Sequence, residues 1–285
     1  MLNSRHLLIL TGLSACAAPL GAAEGRPARE LLQPPKQAVA SPITDRFALR
    51  GTYFQPSVDM PLRYDASPLL QGTPISGEDT LGFDGELNQG TVELTFRMTD
   101  RHRIRADFYQ MNRSGDVMLD QTVRFGDDVY RVSDRVVSSM KLRMLNLAYS
   151  WSLLRREAVE IGVGLGVHLL QAEGRAAVPA RLLHEDFSVA GPFATLGADA
   201  TWRFTPRFSA TAWAQYLPGN IVRVRNVEGS FLRYHADVQF RWRPNLAVGL
   251  GYTQQSLHVD STDDSFAGRF ELKTRGPEAF VRVSF

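Results

Sequence analysis

From Leu232 to Trp242 apolar and polar residues alternate without a break. Leu232, Tyr234, Ala236, Val238, Phe240 and Trp242 share one parity, and Arg233, His235, Asp237, Gln239 and Arg241 the other. A period of two marks a strand, whose successive side chains leave opposite faces. The pattern recurs along the chain. Residues 91–98 set Val92, Leu94, Phe96 and Met98 against Glu93 and Arg97. Residues 159–170 set Val159, Ile161, Val163, Leu165, Val167 and Leu169 against Glu160, Gly162, Gly164, Gly166 and His168. Residues 192–204 set Ala194, Leu196, Ala198, Ala200, Trp202 and Phe204 against Thr195, Asp199, Thr201 and Arg203.

Either a soluble sandwich, with its apolar face inward, or a membrane barrel, with its apolar face on lipid, can produce this alternation. The spacing of the breaks favours the barrel. Short turns fall near Asp100-Arg101, Leu154-Arg155-Arg156, Thr205-Pro206 and Pro244-Asn245, and long polar stretches (58–87, 112–138, 172–190, 218–228 and 259–267) alternate with them. Short turns at one end and long loops at the other are the asymmetry of an inserted barrel. Trp151, Trp202 and Trp242, with Phe204 and Phe240, sit beside the short turns, while Tyr53, Tyr216, Tyr234 and Tyr252 sit toward the loops. Tyr234 and Trp242 lie roughly 20 Å apart along the barrel normal once strand tilt is allowed for. Two aromatic girdles at the headgroup levels are therefore expected.

The periodicity predicts an all-β chain forming a closed, antiparallel, up-and-down transmembrane β-barrel. Ten strands are expected, at about 46–57, 88–99, 102–112, 139–152, 157–171, 190–204, 207–217, 228–243, 245–258 and 268–285. Eight is the alternative, because a long loop isolates the first strand and Gly276-Pro277 interrupts the last. Residues 117–125 and 129–137 flank Gly126-Asp127-Asp128 and read as a hairpin extending strands three and four above the membrane.

The amino terminus carries a basic Arg5, an apolar run from Leu7 to Leu13 and small residues at Gly21-Ala22-Ala23, which together read as a secretory signal over residues 1–23. Leu13-Ser14-Ala15-Cys16 gives an alternative, a lipoprotein signal over 1–15 with Cys16 acylated. Residues 24–44, rich in Pro, Ala and charge, read as a flexible leader, and residues 45–285 as the barrel. One cysteine excludes an intrachain disulfide framework, and a net charge of +2 with dispersed basic residues gives no nucleic-acid signature. No later stretch is apolar for long enough to form a spanning helix.

Several motifs carry a family resemblance. Arg113-Ser114-Gly115 and Phe125-Gly126-Asp127 precede the strand end Tyr149-Ser150-Trp151-Ser152-Leu153-Leu154 and the run Gly162-Val163-Gly164-Leu165-Gly166-Val167-His168. Residues 45–285 thereby resemble small proteobacterial outer-membrane β-barrels of the OmpA/OmpW-like, porin-family kind. The resemblance implies an exported chain in the bacterial outer membrane and implies little about activity. The terminal alternation through Val281, Val283 and Phe285 resembles the signal read by the barrel-assembly machinery.

Parity directs Arg50, Glu93, Arg97, Arg103, Arg105, Asp107, Glu160, His168, Asp199, Arg203, Arg233, His235, Asp237, Arg241 and Arg282 into the lumen. Eight arginines then face five acids. Buried charges of mixed sign have to pair, so a salt-bridged plug with a structural or surface-interaction role is expected. The alternative is a narrow channel preferring anions, with Gly162, Gly164 and Gly166 leaving either a passage or room for arginines. A lipid A-modifying site built from Ser256, His258 and Glu271 is a weaker alternative, because the order departs from that of barrel deacylases. His168 and His235 lack metal-ligand spacing, and no cofactor or metal is expected. Asp260, Asp263 and Asp264 form an acidic loop tip, as do Asp127 and Asp128, and both read as solvated. Lys141 and Arg143 fall on the lipid-facing parity near the outer headgroups, where lipopolysaccharide phosphate can pair with them. Outer-membrane lipid and the assembly machinery are the expected partners of a monomer.

Overall fold

The computed structural model describes residues 41–65, 71–125, 128–181, 183–219, 223–224, 227–263 and 266–285. The signal, with Cys16, lies outside the described residues, as do most of the leader, Asp127 and Asp264. The side chain of Asp263 is likewise not described.

Ten antiparallel strands close into a barrel: β1 (Phe47–Phe54), β2 (Gln89–Arg97), β3 (His102–Met118), β4 (Arg135–Arg155), β5 (Val159–Val178), β6 (Leu183–Arg203), β7 (Phe208–Leu217), β8 (Val227–Arg243), β9 (Leu246–Asp263) and β10 (Phe266–Ser284). Each pairs with the next, and β1 pairs with β10 from Ala48↔Ser284 to Phe54↔Glu278, which completes the circle. Gly276-Pro277 does not break β10. Pro277 faces outward, and its carbonyl accepts the Gln55 amide at 3.2 Å just where β1 ends.

The outward face carries an apolar belt, on which Leu250, Leu196 and Leu165 are 69%, 60% and 59% exposed. An apolar surface this extensive cannot face water.

Two of the long polar stretches are ladders. β5 and β6 stay paired to Val178↔Leu183, and β9 and β10 to Asp263↔Phe266, so only short connections remain where loops over 172–190 and 259–267 are expected. β3 and β4 pair as far as Met118↔Arg135, and a small separate hairpin (Val123–Phe125 with Asp128–Tyr130) sits beyond them. The reason is an inversion of polarity at constant parity. In β4, Trp151, Tyr149, Leu147 and Leu145 face out while Ser152, Ser150 and Asn146 face in. Beyond Leu145 the outward residues become Arg143 and Lys141, and the inward ones Met144, Leu142 and Met140. β3 inverts likewise after Phe108, with Gln110 and Asn112 outward and Tyr109 and Met111 inward. Past the belt the barrel is an ordinary water-facing sheet around an apolar core.

The segment after β1 fills that core. Its short strands Ser57–Asp59 and Pro61–Asp65 pair with the upper part of β10, and Ile75–Ser76 pairs with Pro61–Asp65. Met60, Leu62, Ile75, Leu81 and Phe83 from this segment pack against Met111, Met140, Leu142, Phe231, Phe270 and Leu272 of the wall.

Candidate functional site: a charged lumen beneath an apolar lid

All fifteen charged or imidazole residues assigned to the lumen by parity point inward. At the short-turn end, Arg241 pairs with Asp45 at 2.6 Å and Arg282 lies 3.4 Å from the same carboxylate. Asp45 follows a turn over residues 41–44 in which Ile43 is fully buried, so the last residues of the expected leader are built into the barrel mouth. Beside them Arg203 binds the Glu157 carboxylate at 2.8 Å. One layer up, Glu160 accepts a bidentate pair from Arg97 at 2.8 and 2.7 Å and a hydrogen bond from Ser152. Arg103 bridges Glu160, at 3.5 Å, to Asp199, which also accepts from Ser150.

Across the lumen Arg50 donates to Asp237 at 2.7 Å and also to Glu278, while its guanidinium stacks 3.6 Å from the Phe280 ring. His235 donates to Asp237 at 2.8 Å. Arg233 binds Asp107 at 2.7 Å, and Asn146 donates to the other Asp107 oxygen at 2.7 Å. Arg105 lies 3.9 Å from the Trp213 ring, with Glu93 at 3.8 Å.

Asp45, Glu157 and Glu278 escaped the alternation analysis. With them the five predicted acids become eight, equal to the eight arginines, and the arginine excess disappears. Asp45 precedes the first strand, Glu157 sits in a turn, and Glu278 hides beside Pro277. The parity of β10, counted back through Phe280, would have found Glu278.

The glycines of β5 leave no passage, and opposite-wall arginines do not use the space. A Cβ on Gly162 would meet Ser150 Oγ at 2.7 Å and Asp199 Oδ1 at 3.0 Å. One on Gly166 would meet Thr195 Oγ1 at 2.5 Å and Gln215 Nε2 at 2.6 Å, and one on Gly164 the Tyr149 carbonyl oxygen at 1.9 Å. The adjoining cavity holds about 30 Å³, room for one water.

At the top of the charged layer His168 is stacked on Phe193 and packed against Phe231, both with centroids at 4.7 Å. His235 sits elsewhere, against Trp213 at 5.2 Å, so the two imidazoles do not meet. Above lies the lid, built from residues 57–65 and 71–87 and latched by Arg113. This buried guanidinium binds Glu78 at 2.6 Å and the Asp84 carbonyl at 2.7 Å, and lies 4.9 Å from the Phe83 ring. Gly115, two residues on, allows the Leu81 carbonyl to approach to within 1.8 Å of where a Cβ would be. Arg113→Ala is expected to leave the barrel folded but free the lid. Limited proteolysis should then cut within residues 57–87 in the variant and spare the parent.

On the outer face Trp151, Trp202, Phe204, Phe240 and Trp242 gather toward the turns, where Phe204, Phe208 and Phe240 form a continuous row with centroids 6.1 and 5.0 Å apart. Toward the loops Tyr53 and Tyr234 donate to Asn88 at 2.5 Å and Gln254 at 2.6 Å, each polar tip reaching the polar band; Tyr216 and Tyr252 also face outward. Val281 and Val283 lie on the lipid side of β10, and Phe285 closes against Phe47 at 6.1 Å.

Ser256, His258 and Glu271 face outward above the belt. Both imidazole nitrogens of His258 meet carboxylates, Asp260 at 2.7 Å and Glu271 at 3.2 Å. Neither nitrogen is placed to take a proton from Ser256, which lies opposite Lys273. Partial burial pushes the Asp260 carboxyl up, but hydrogen bonds from Arg269 and His258 outweigh it and hold the group below its ordinary value. Asp260 is thus one end of an ion-paired row.

No known family model matches the sequence, nor does any characterised protein compared with it. Solved structures do. The outer membrane protease OmpT from Escherichia coli superposes with a TM-score of 0.53 at 10% identity, covering 84% of this chain and 96% of that one. Ail, the attachment invasion locus protein of Yersinia pestis, gives 0.35 at 10% identity over 82% and 99%. The toluene transporter TodX of P. putida gives 0.35 at 8% over 87% and 93%. At such identities the likeness is one of fold: the chain has the architecture of an outer-membrane β-barrel.

Proposed function

We propose that this chain resides in the bacterial outer membrane with its short turns in the periplasm, as a closed, non-catalytic barrel with a structural or surface-interaction role. The observation carrying this reading is the lumen itself, in which eight arginines meet eight carboxylates beneath an apolar lid. A conducting pore needs a continuous wetted path. The narrow-channel alternative drew on an arginine excess and a glycine passage. Asp45, Glu157 and Glu278 cancel the first, and Ser150, Thr195 and Gln215 fill the second. For a lipid A hydrolase at His258, the engagement of both ring nitrogens argues against a proton relay.

The OmpA/OmpW-like assignment rests on its sequence motifs; of these, Gly115 sits where the Leu81 carbonyl of the lid approaches. Among partners, outer-leaflet lipopolysaccharide fits Lys141 and Arg143, which project just beyond the belt. The assembly machinery fits the terminal Val281, Val283 and Phe285. Nothing in the reading calls for a second copy, a cofactor or a nucleic acid.

Planar-bilayer recording of the purified protein tests the proposal. Silence is the expected result, and well-resolved single-channel steps would overturn it. The lipid A mass spectrum of an overexpressing strain should be unchanged.

A further inference from the structure

Along the strand ladders beyond the belt, the outermost arginines are matched by carboxylates: Arg135 with Asp116 at 2.6 Å, Arg175 with Asp186 at 2.6 Å and Arg269 with Asp260 at 2.7 Å. The cations on the first outward step behave differently. Arg143 and Arg275 make no side-chain ion pair or hydrogen bond among the described residues, and neither does Lys141 one step further out. Lys273 approaches only Glu271, at 3.5 Å. Along these outer ladders, unpaired cations thus sit on the first two outward steps above the apolar surface; elsewhere among the described residues they occur at the outermost hairpin (Arg124, Arg131) and beside the short turns.

Their surroundings match. In register, Arg143 of β4 lies between Gln110 and Gln171, and Arg275 of β10 between Gln254 and Ser57. Each arginine is flanked only by neutral hydrogen-bonding side chains. One step out, Lys141 lies between Asn112 and Glu173, and Lys273 between Ser256 and Asp59. Glu173 faces Lys141 but takes its hydrogen bond from Gln171 at 2.7 Å. A lysine over an arginine is therefore built twice, on strands four steps apart around a circle of ten.

We propose that these are two stations for phosphate-bearing lipid of the outer leaflet, each holding one lipid A phosphate between its arginine and lysine. The inference rests on the outer-membrane reading and its lipopolysaccharide contact, and adds the group recognised, the stoichiometry and the second station. A guanidinium offers paired donors to a phosphate, and the lysine adds a mobile charge. The acyl chains then lie along the belt directly beneath, on Leu145 and Leu147 of β4 and Ala279 and Val281 of β10.

The test is native mass spectrometry of the full chain in detergent with bis-phosphorylated lipid A, the same lipid stripped of its phosphates, and inorganic phosphate. Two phosphorylated lipids per barrel are expected. Arg143→Gln with Lys141→Gln should leave one, Arg275→Gln with Lys273→Gln should leave one, and the fourfold variant none. Arg175→Gln, already paired to Asp186, should leave two. Heat-modifiable migration checks that the parent and each variant are folded, and a folded parent that retains no lipid would sink the stations while sparing the barrel. Equal retention of the dephosphorylated lipid, unchanged retention by the fourfold variant, or displacement by inorganic phosphate alone would each overturn the proposal.

Discussion

Glu160→Ala should destabilise the barrel by about 3–5 kcal/mol, the cost of removing one partner from a buried ion pair. Glu160 is fully buried and answers two arginines, the bidentate Arg97 and the bridging Arg103, besides the Ser152 hydroxyl. Its loss strands the guanidinium of Arg97, itself buried, with the Asp100 carbonyl at 3.2 Å as its one remaining hydrogen-bond partner among the described residues. The net worth of the intact pair is small, because desolvation consumes most of the Coulombic gain; the penalty comes from the orphaned charge. Adding Arg97→Ala to Glu160→Ala should therefore cost less than the sum of the two single changes. The urea midpoint for loss of the compact band on detergent gels, measured for both singles and the double, checks this. Strict additivity would mean that water already solvates this layer.

Gly164→Ala should be at least as damaging, although it adds one methyl group. That methyl would sit 1.9 Å from the Tyr149 carbonyl oxygen of the neighbouring strand, and no rotamer can relieve a clash with backbone. Overpacking a well-filled interior costs about 1–3 kcal/mol where side chains can yield; here the β4–β5 ladder itself has to spread. Gly51→Ala is the control, because a Cβ there meets nothing within 4 Å. The expected result is normal folding of the Gly51 variant and loss of the compact band for Gly164→Ala. Wild-type behaviour of Gly164→Ala would show that the strands do not approach so closely.

The strands of the belt were legible because one rule, apolar outward, governs them from end to end, and their number was legible with them. What the rule could not reveal was the level at which it reverses. Met140-Lys141-Leu142-Arg143-Met144 alternates as strictly as Leu145-Asn146-Leu147-Ala148-Tyr149, but with opposite sense. This stretch falls inside the expected fourth strand, with Lys141 and Arg143 at the headgroup level, but further out the reversed sense reads as polar loop over 112–138, 172–190 and 259–267, where the strands in fact continue. The lid was illegible for another reason. Val58, Met60 and Leu62 alternate over five residues only, Leu81 and Phe83 follow about twenty residues later, and only the wall of methionines and leucines they meet gives them a place. In the lumen, parity reached the charges inside regular strands and missed Asp45 and Glu157, which lie outside them, and Glu278, which sits beside Pro277 within β10.

β10 continues to Phe266 while its neighbour β1 stops at Phe54, so half of one seam has no first strand to close it. Residues 57–65 supply that half by pairing with Lys273–Arg275 and Ala267–Phe270. Until they dock, the newly made cylinder carries a bare hydrogen-bonding edge at its outer rim, the kind of edge that recruits foreign strands. Stoppering the mouth and hemming the wall are then a single event, and a chain that fails at one is left open to aggregation at the other.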